Sequence, residues 1–265
     1  MASSNVKSAT RVFDILEMLA AHAQPMATMA IARECGIPKS SAHHLLNVML
    51  ERNYVTYYEH ERAWGLGVSI FEVGSAYLRR TPLQRLGRPI LESVCAETGE
   101  TCHLAILHGA DVLYLDKEQP AGNGPNLVTD IGVRLPAHLT AVGWAMLSQL
   151  PDSQVRAALG GTPMVTRTGT GPGDLDELFQ GLAAVKARGF AFDDQMVTPG
   201  ICCLAAPVFS HSDQPVAAIG VSYLAAKSEA ALVDRFAAIV CGAAAHLSTS
   251  LGWREPAPTE SRAVA

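Results

Sequence analysis

The sequence is short of charge and has no ordered cysteine pattern. Only 17% of its 265 residues are Asp, Glu, Lys or Arg, while 49% are apolar. A chain of that balance buries a core instead of staying disordered. Its formal net charge of −5 excludes general coating of polyanions by the whole molecule. None of the six cysteines stands in a CxxC spacing, and adjacent Cys202 and Cys203 make a poor disulfide. No metal-ligand spacing recurs, and no P-loop or nucleophile elbow occurs. The N-terminal apolar run is broken by Asp14 and Glu17, which is wrong for a signal peptide. The longest late apolar run, Phe236 to Ala245, is too short to cross a bilayer and suits a core helix. These absences lead us to expect a reduced, cytoplasmic protein without metal or cofactor.

The most informative stretch is Thr28 to Tyr54. Thr28 is a good N-cap, and Ile31, Ala32 and Cys35 then share a helical face. Gly36 ends that helix, and Pro38 opens the next. From Lys39, the residues Ala42, Leu45, Leu46 and Met49 fall at i, i+3, i+4 and i+7 and make one stripe. The other face carries Lys39, Ser40, Ser41, His43, His44 and Asn47, all able to donate hydrogen bonds to phosphates or base edges. Two helices around a glycine turn, the second with a donor-rich face, form a helix-turn-helix pattern. An ordinary amphipathic hairpin of helices would look the same locally, so the flanks matter.

Before the pair, Val12, Ile15, Leu16 and Leu19 give one helix face; residues 1–8 read as frayed, and residues 23–27 as a loop. After it, Tyr54 to Tyr58 and Ala63 to Leu66 flank a polar tip, Glu59 to Arg62, as in a β-hairpin. Helix, helix-turn-helix and hairpin make a winged helix-turn-helix, with Arg62 the tip cation available to a DNA backbone. Charge agrees: residues 1–80 hold 8 basic and 7 acidic residues, and the remainder 12 and 18. Val68 to Arg80 reads as a connector helix without a clean stripe, so packing on both sides is expected.

Beyond Thr81-Pro82 the pattern is α+β, mostly antiparallel. Helices are expected at Leu83 to Thr98, Thr140 to Leu150, Asp152 to Leu159, Leu175 to Arg188 and Ala230 to Leu251. Strands are expected at Thr101 to His108, Val112 to Asp116, Leu127 to Ile131, Phe190 to Phe192, Cys202 to Phe209 and Val216 to Tyr223. The division is then 1–67 for the winged helix-turn-helix, 68–82 for a linker helix, 83–253 for a second domain, and 254–265 for a disordered tail. In that domain, Asp193 and Asp194 could together bind a metal or act as acid and base. Cys203, His103 and Asp193 could form a nucleophile, base and orienter. Cys202-Cys203 could be a redox sensor. His103 in its apolar strand and His138 beside Pro136 could also be structural or pH-responsive.

The order of blocks resembles the IclR family of bacterial transcription regulators. The resemblance runs from about Val6 to Leu251. It rests on GIPKSSAHHLL at 36–46, WGLG at 64–67, AETGETCHLAIL at 96–107, LPAHLTAVGWAML at 135–147 and ARGFAFDDQMVTPGICCLAAPVF at 187–209. It implies a winged helix-turn-helix, a linker helix and a GAF/PAS-like effector-binding domain. It also implies dimers or tetramers on partly palindromic promoter DNA, and a small organic or aromatic acid as effector. By the same resemblance the effector pocket involves Leu139, Thr140, Ala141, Gly143, Asp193, Cys203 and Ser222; His103 joins them as a candidate. Three positions depart from the family pattern: His44 and Cys202 stand where arginine is usual, and Trp144 where lysine is usual. His44 is expected to weaken DNA binding or make it pH-dependent. Trp144 and Cys202 are expected to reshape the pocket towards a larger or more apolar ligand.

Overall fold

The computed structural model describes residues 6–122 and 127–254, without the side chains of 78–80. The chain divides into two compact units, 1–80 and 81–265. The expected tail lies outside the described residues, apart from Arg254.

The first unit contains α1 (Lys7–Ala21), α2 (Thr28–Glu34), α3 (Lys39–Glu51), β1 (Val55–Tyr58), β2 (Ala63–Leu66) and α4 (Val68–Arg80). Helix α1 starts at Lys7, inside the stretch expected to fray. Gly36 takes the left-handed conformation (φ 61°) between α2 and α3, which a side chain would strain. Ile15, Ile31, Ala42 and Leu46 are fully buried and meet Met49, Val55 and Trp64 in one core, with Leu45 only partly buried beside it. Strands β1 and β2 pair antiparallel from Val55–Leu66 to Tyr58–Ala63, leaving Glu59 to Arg62 as the tip. Thr28 departs from its expected role. It is the first helical residue, Ala27 occupies the cap position, and no side chain caps the helix. The Thr28 hydroxyl instead accepts a hydrogen bond from Trp64 Nε1 at 2.9 Å, tying α2 to the hairpin. Helix α4 also departs from expectation. Phe71 is 75% exposed, and Val68, Val73 and Tyr77 are exposed too, because no second layer among the described residues covers them.

The second unit contains α5 (Pro82–Thr98), β3 (Thr101–His108), β4 (Asp111–Glu118), β5 (Arg134–Pro136), α6 (Ala141–Leu147), α7 (Asp152–Leu159), α8 (Leu175–Arg188), β6 (Ala191–Asp194), β7 (Ile201–Phe209), β8 (Pro215–Leu224) and α9 (Ala230–Ser250). Its sheet is antiparallel throughout, in the order β5-β4-β3-β8-β7-β6. Residues 127–131 are not a strand. The edge place is taken by Arg134–Pro136, which pairs with β4. The expected helix from 140 to 150 is shorter, because Thr140 is its N-cap and Ser148 its C-cap.

Strand alternation divides the sheet between two cores. Cys102 and Leu104 of β3, Cys202, Leu204, Ala206 and Val208 of β7, and Ile219, Val221 and Tyr223 of β8 pack with α5 and α9. Ala105, Ala205 and Ala218, from the alternate positions, pack with α6, α7 and α8. The late apolar run lies in α9, a core helix as expected, but the helix extends well beyond the run. With 21 residues and a mean hydropathy of 1.5, it is long and apolar enough to cross a membrane. In this fold Phe236, Val240, Ala244 and Leu247 form a buried stripe in the α5/α9 core.

The Thr28–Trp64 bond can be isolated by a double-mutant cycle with Thr28→Val and Trp64→Phe. A coupling of about 1 kcal/mol in unfolding free energy is expected, and a coupling near zero would show that the bond contributes nothing.

Candidate functional site

In the first unit, Lys39, Ser40, His43 and His44 are exposed along α3, and Ser41 and Asn47 are half-buried. The side turned inward holds Ala42, Leu46 and Met49, so the donors are outside because the apolar stripe fixes the helix rotation. The Asn47 amide lies 3.3 Å from His43 Nε2, four residues away on the same face. Arg62 is exposed at the hairpin tip, in the left-handed turn conformation with φ 50°.

In the second unit, a small, partly enclosed cavity lies on the α6 side of the sheet. Of the eight proposed effector residues, His103, Thr140, Ala141, Asp193, Cys203 and Ser222 line it. They come from four strands and one helix start. Alternation explains the strand residues: His103, Cys203 and Ser222 share a face with Ala105, Ala205 and Ala218. Thr140 caps α6 by accepting the Gly143 N–H at 3.1 Å. Ala141, in the first turn, lines the cavity, and its N–H has no acceptor within the helix.

Leu139 and Gly143 lie outside the lining. Leu139 is fully buried and packs towards Gly171 of the following loop. A Cβ on Gly143 would lie 2.1 Å from the Ala137 carbonyl oxygen. Its glycine lets α6 close against the short 3₁₀ turn at Ala137–Leu139. Trp144 does not line the cavity either. Its Nε1 donates to the His138 carbonyl at 2.7 Å, and its ring fills the space that a side chain at Gly181 of α8 would need. Cys202 points to the opposite core, with its thiol 3.5 Å from Asp194 Oδ1. His138 is buried in the 3₁₀ turn, and burial lowers its pKa.

The sequence reading missed Tyr114, Thr129, Leu135, Val197 and Thr198, which also line the cavity. Tyr114 faces inward on β4 with Val112, so alternation along that strand was the available signal. Thr129 and Thr198 sit in irregular segments and carry no periodic signal.

The hydrogen bonds argue against a catalytic triad. Cys203 Sγ lies 3.1 Å from Ser222 Oγ, while His103 Nε2 lies 2.8 Å from Thr129 Oγ1. Burial and then Asp193 push the Cys203 thiol well above its ordinary pKa, so it stays protonated. Burial, and next Lys117, bring His103 down to about 3, leaving a neutral ring edge-on to Tyr114. Asp193 and Asp194 do not form a pair. Asp193 is buried in the lining and accepts the Met196 N–H at 2.7 Å, whereas Asp194 is exposed and bonds Gln195. Burial raises the Asp193 carboxyl to about 7, with the Met196 bond acting in the opposite sense.

Two family models match the two units of this arrangement. The IclR helix-turn-helix domain covers residues 8–58, and the bacterial transcriptional regulator IclR C-terminal domain covers residues 75–249. The chain belongs to the IclR family of transcription regulators. It is 31% identical to the transcriptional repressor IclR of Escherichia coli over 95% of this chain and 92% of that protein. A putative-regulator structure from Rhodococcus sp. RHA1 superposes with a TM-score of 0.81 at 27% identity, covering 93% of this chain and 98% of that one. An IclR homologue from Microbacterium hydrocarbonoxydans, solved with 4-hydroxybenzoate, shares the fold with a TM-score of 0.80 at 22% identity, covering 92% and 99%. The second unit is therefore the IclR-type C-terminal domain, and the cavity lies within it.

The raised Asp193 pKa has a consequence for stability. Its proton stabilises the fold fully below the unfolded carboxyl value and is lost as pH rises through about 7. Asp193→Asn mimics the protonated form. It should raise Tm near pH 8 by at least about 2 °C, the shift given by about 1 kcal/mol in a domain of this size, and leave Tm near pH 4 unchanged. Thermal melts showing the same shift at both pH values would contradict the assignment.

Proposed function

We propose that this IclR-type regulator binds partly palindromic promoter DNA as a homodimer or homotetramer in the cytoplasm and is controlled by a small organic or aromatic acid. Helix α3 enters a major groove, with Lys39, Ser40, Ser41, His43, His44 and Asn47 towards bases and phosphates. Arg62 meets the backbone from the wing. The acid occupies the C-terminal cavity, where Thr140, Ser222, Asp193 and His103 hold its polar end. The apolar lining, Leu135, Val142 and Val197 among it, holds the remainder. The observation that carries this reading is the cavity itself: a few convergent polar groups in an apolar wall, in a domain whose thiol and imidazole are not wired for catalysis.

Ligand binding is expected to shift DNA affinity by about 5- to 150-fold, the usual range of such couplings. Fluorescence anisotropy on DNA from upstream of the protein's own coding region tests this, with competitor DNA, several salt concentrations and a panel of organic and aromatic acids. Saturable, competitor-resistant binding altered by at least one acid is the expected result. Lys39→Ala should weaken binding to every sequence and reduce the salt slope by about one. An unchanged slope would remove Lys39 from the phosphate contacts, and DNA binding indifferent to every acid would remove the acid as effector.

A further inference from the structure

The described residues lining the cavity include no lysine or arginine. Lys117 stands across from His103 in the β3–β4 register but is outside the lining. His103 supplies no positive charge, because burial and Lys117 keep its ring neutral, with Asp130 only partly opposing them. The cavity does contain one buried carboxyl, Asp193 on β6. Around it stand the Met196 N–H from the turn after β6, Cys203 on β7, Tyr114 on β4, and Asp194 next to it on its own strand. None of these is a cation. An incoming carboxylate would therefore face a second carboxylate inside a largely apolar wall. Two carboxylates sharing such a site cannot both stay ionised without a large cost.

Resting on the acid-sensing reading above, we propose that the effector acid enters this cavity together with one proton, shared between its carboxylate and Asp193. Asp193 then acts as a specificity-determining residue that admits monocarboxylic acids and disfavours dicarboxylic ones. A second carboxylate would bring a charge for which the lining has no partner. The balance is simple: one acid anion enters, the shared proton is the one already on Asp193 or, where Asp193 is ionised, one taken from solvent, and no bond other than the shared hydrogen bond is made. The direction with pH follows. Where Asp193 already holds its proton, binding takes up none; where Asp193 is ionised, each bound acid must bring one, and affinity falls about tenfold per pH unit. The carboxyl's own value of about 7 places the change in the neutral range.

Isothermal titration calorimetry on the full chain tests this. The probes are benzoate, 4-hydroxybenzoate and aliphatic monocarboxylates of increasing length, with terephthalate as the dicarboxylate. Each is measured in two buffers of different ionisation enthalpy. The bound monocarboxylate should weaken about 30-fold between about pH 6 and about pH 8.5, with uptake approaching one proton at the higher pH and none at the lower. Asp193→Asn, which keeps an oxygen for the Met196 N–H, should bind equally at both pH values without proton uptake. Terephthalate should bind more weakly than benzoate. Monocarboxylate binding that is equal at both pH values with no proton uptake would overturn the proton coupling and leave acid sensing intact. No binding by any monocarboxylate at the lower pH would overturn the acid-sensing reading, and this inference with it.

Discussion

A single sheet has to serve two cores in the C-terminal unit, and side-chain alternation along its central strands is what allows it. Leu104, Leu204, Ile219 and Val221 fill the side covered by α5 and α9. The alternate residues, His103, Cys203, Gly220 and Ser222, are polar or small and face the cavity. A one-residue slip in β7 would exchange Cys203 for Cys202 and put a hydrophobic set into the cavity. Gly220 fits the same constraint, since a Cβ there would come within 3.0 Å of Val142 on α6. The small residue lets α6 stay close to the sheet, and with it Thr140 and Ala141.

The polar groups of the cavity are neutral or close to it. Cys203 keeps its proton, His103 lacks one, and Asp193 is poised near neutrality, in each case chiefly through burial. An enzyme built on these residues would need a thiolate beside a basic imidazole. Here the thiol bonds a serine, and the imidazole bonds a threonine. The same neutrality suits reversible holding of a small molecule, where dipoles and one titrating carboxyl discriminate without trapping a charge.

The helix-turn-helix was legible because its signals are local. The i, i+3, i+4, i+7 stripe of α3 and the left-handed Gly36 both depend on neighbours within a few residues. The cavity was legible only in part, since its walls come from segments as far apart in the chain as His103 and Ser222. Family blocks supplied Thr140, Ala141, Asp193 and Cys203, and the resemblance added Ser222 on the strand that follows them. The same blocks overreached at Leu139 and Gly143, where the chain turns from a 3₁₀ turn into α6 and adjacent residues point different ways. Trp144 and Cys202 failed for a related reason. Cys202 precedes the lining residue Cys203 and Trp144 lies two residues after Val142, but α6 faces α8 at Trp144 and β7 faces α9 at Cys202. Residues 127–131 have strand-like composition, but the edge of the sheet beside β4 is already occupied by β5.

The central claim is that an acid is held on the α6 side of the sheet. Hydrogen exchange of the full chain, with and without a bound acid, tests it most directly. Slowed exchange in residues 127–131 and 194–201, with α9 unchanged, is the predicted result, because both segments border the cavity and α9 packs on the other face. Protection confined to α5 and α9, with those two segments unchanged, would place the ligand elsewhere and contradict the account.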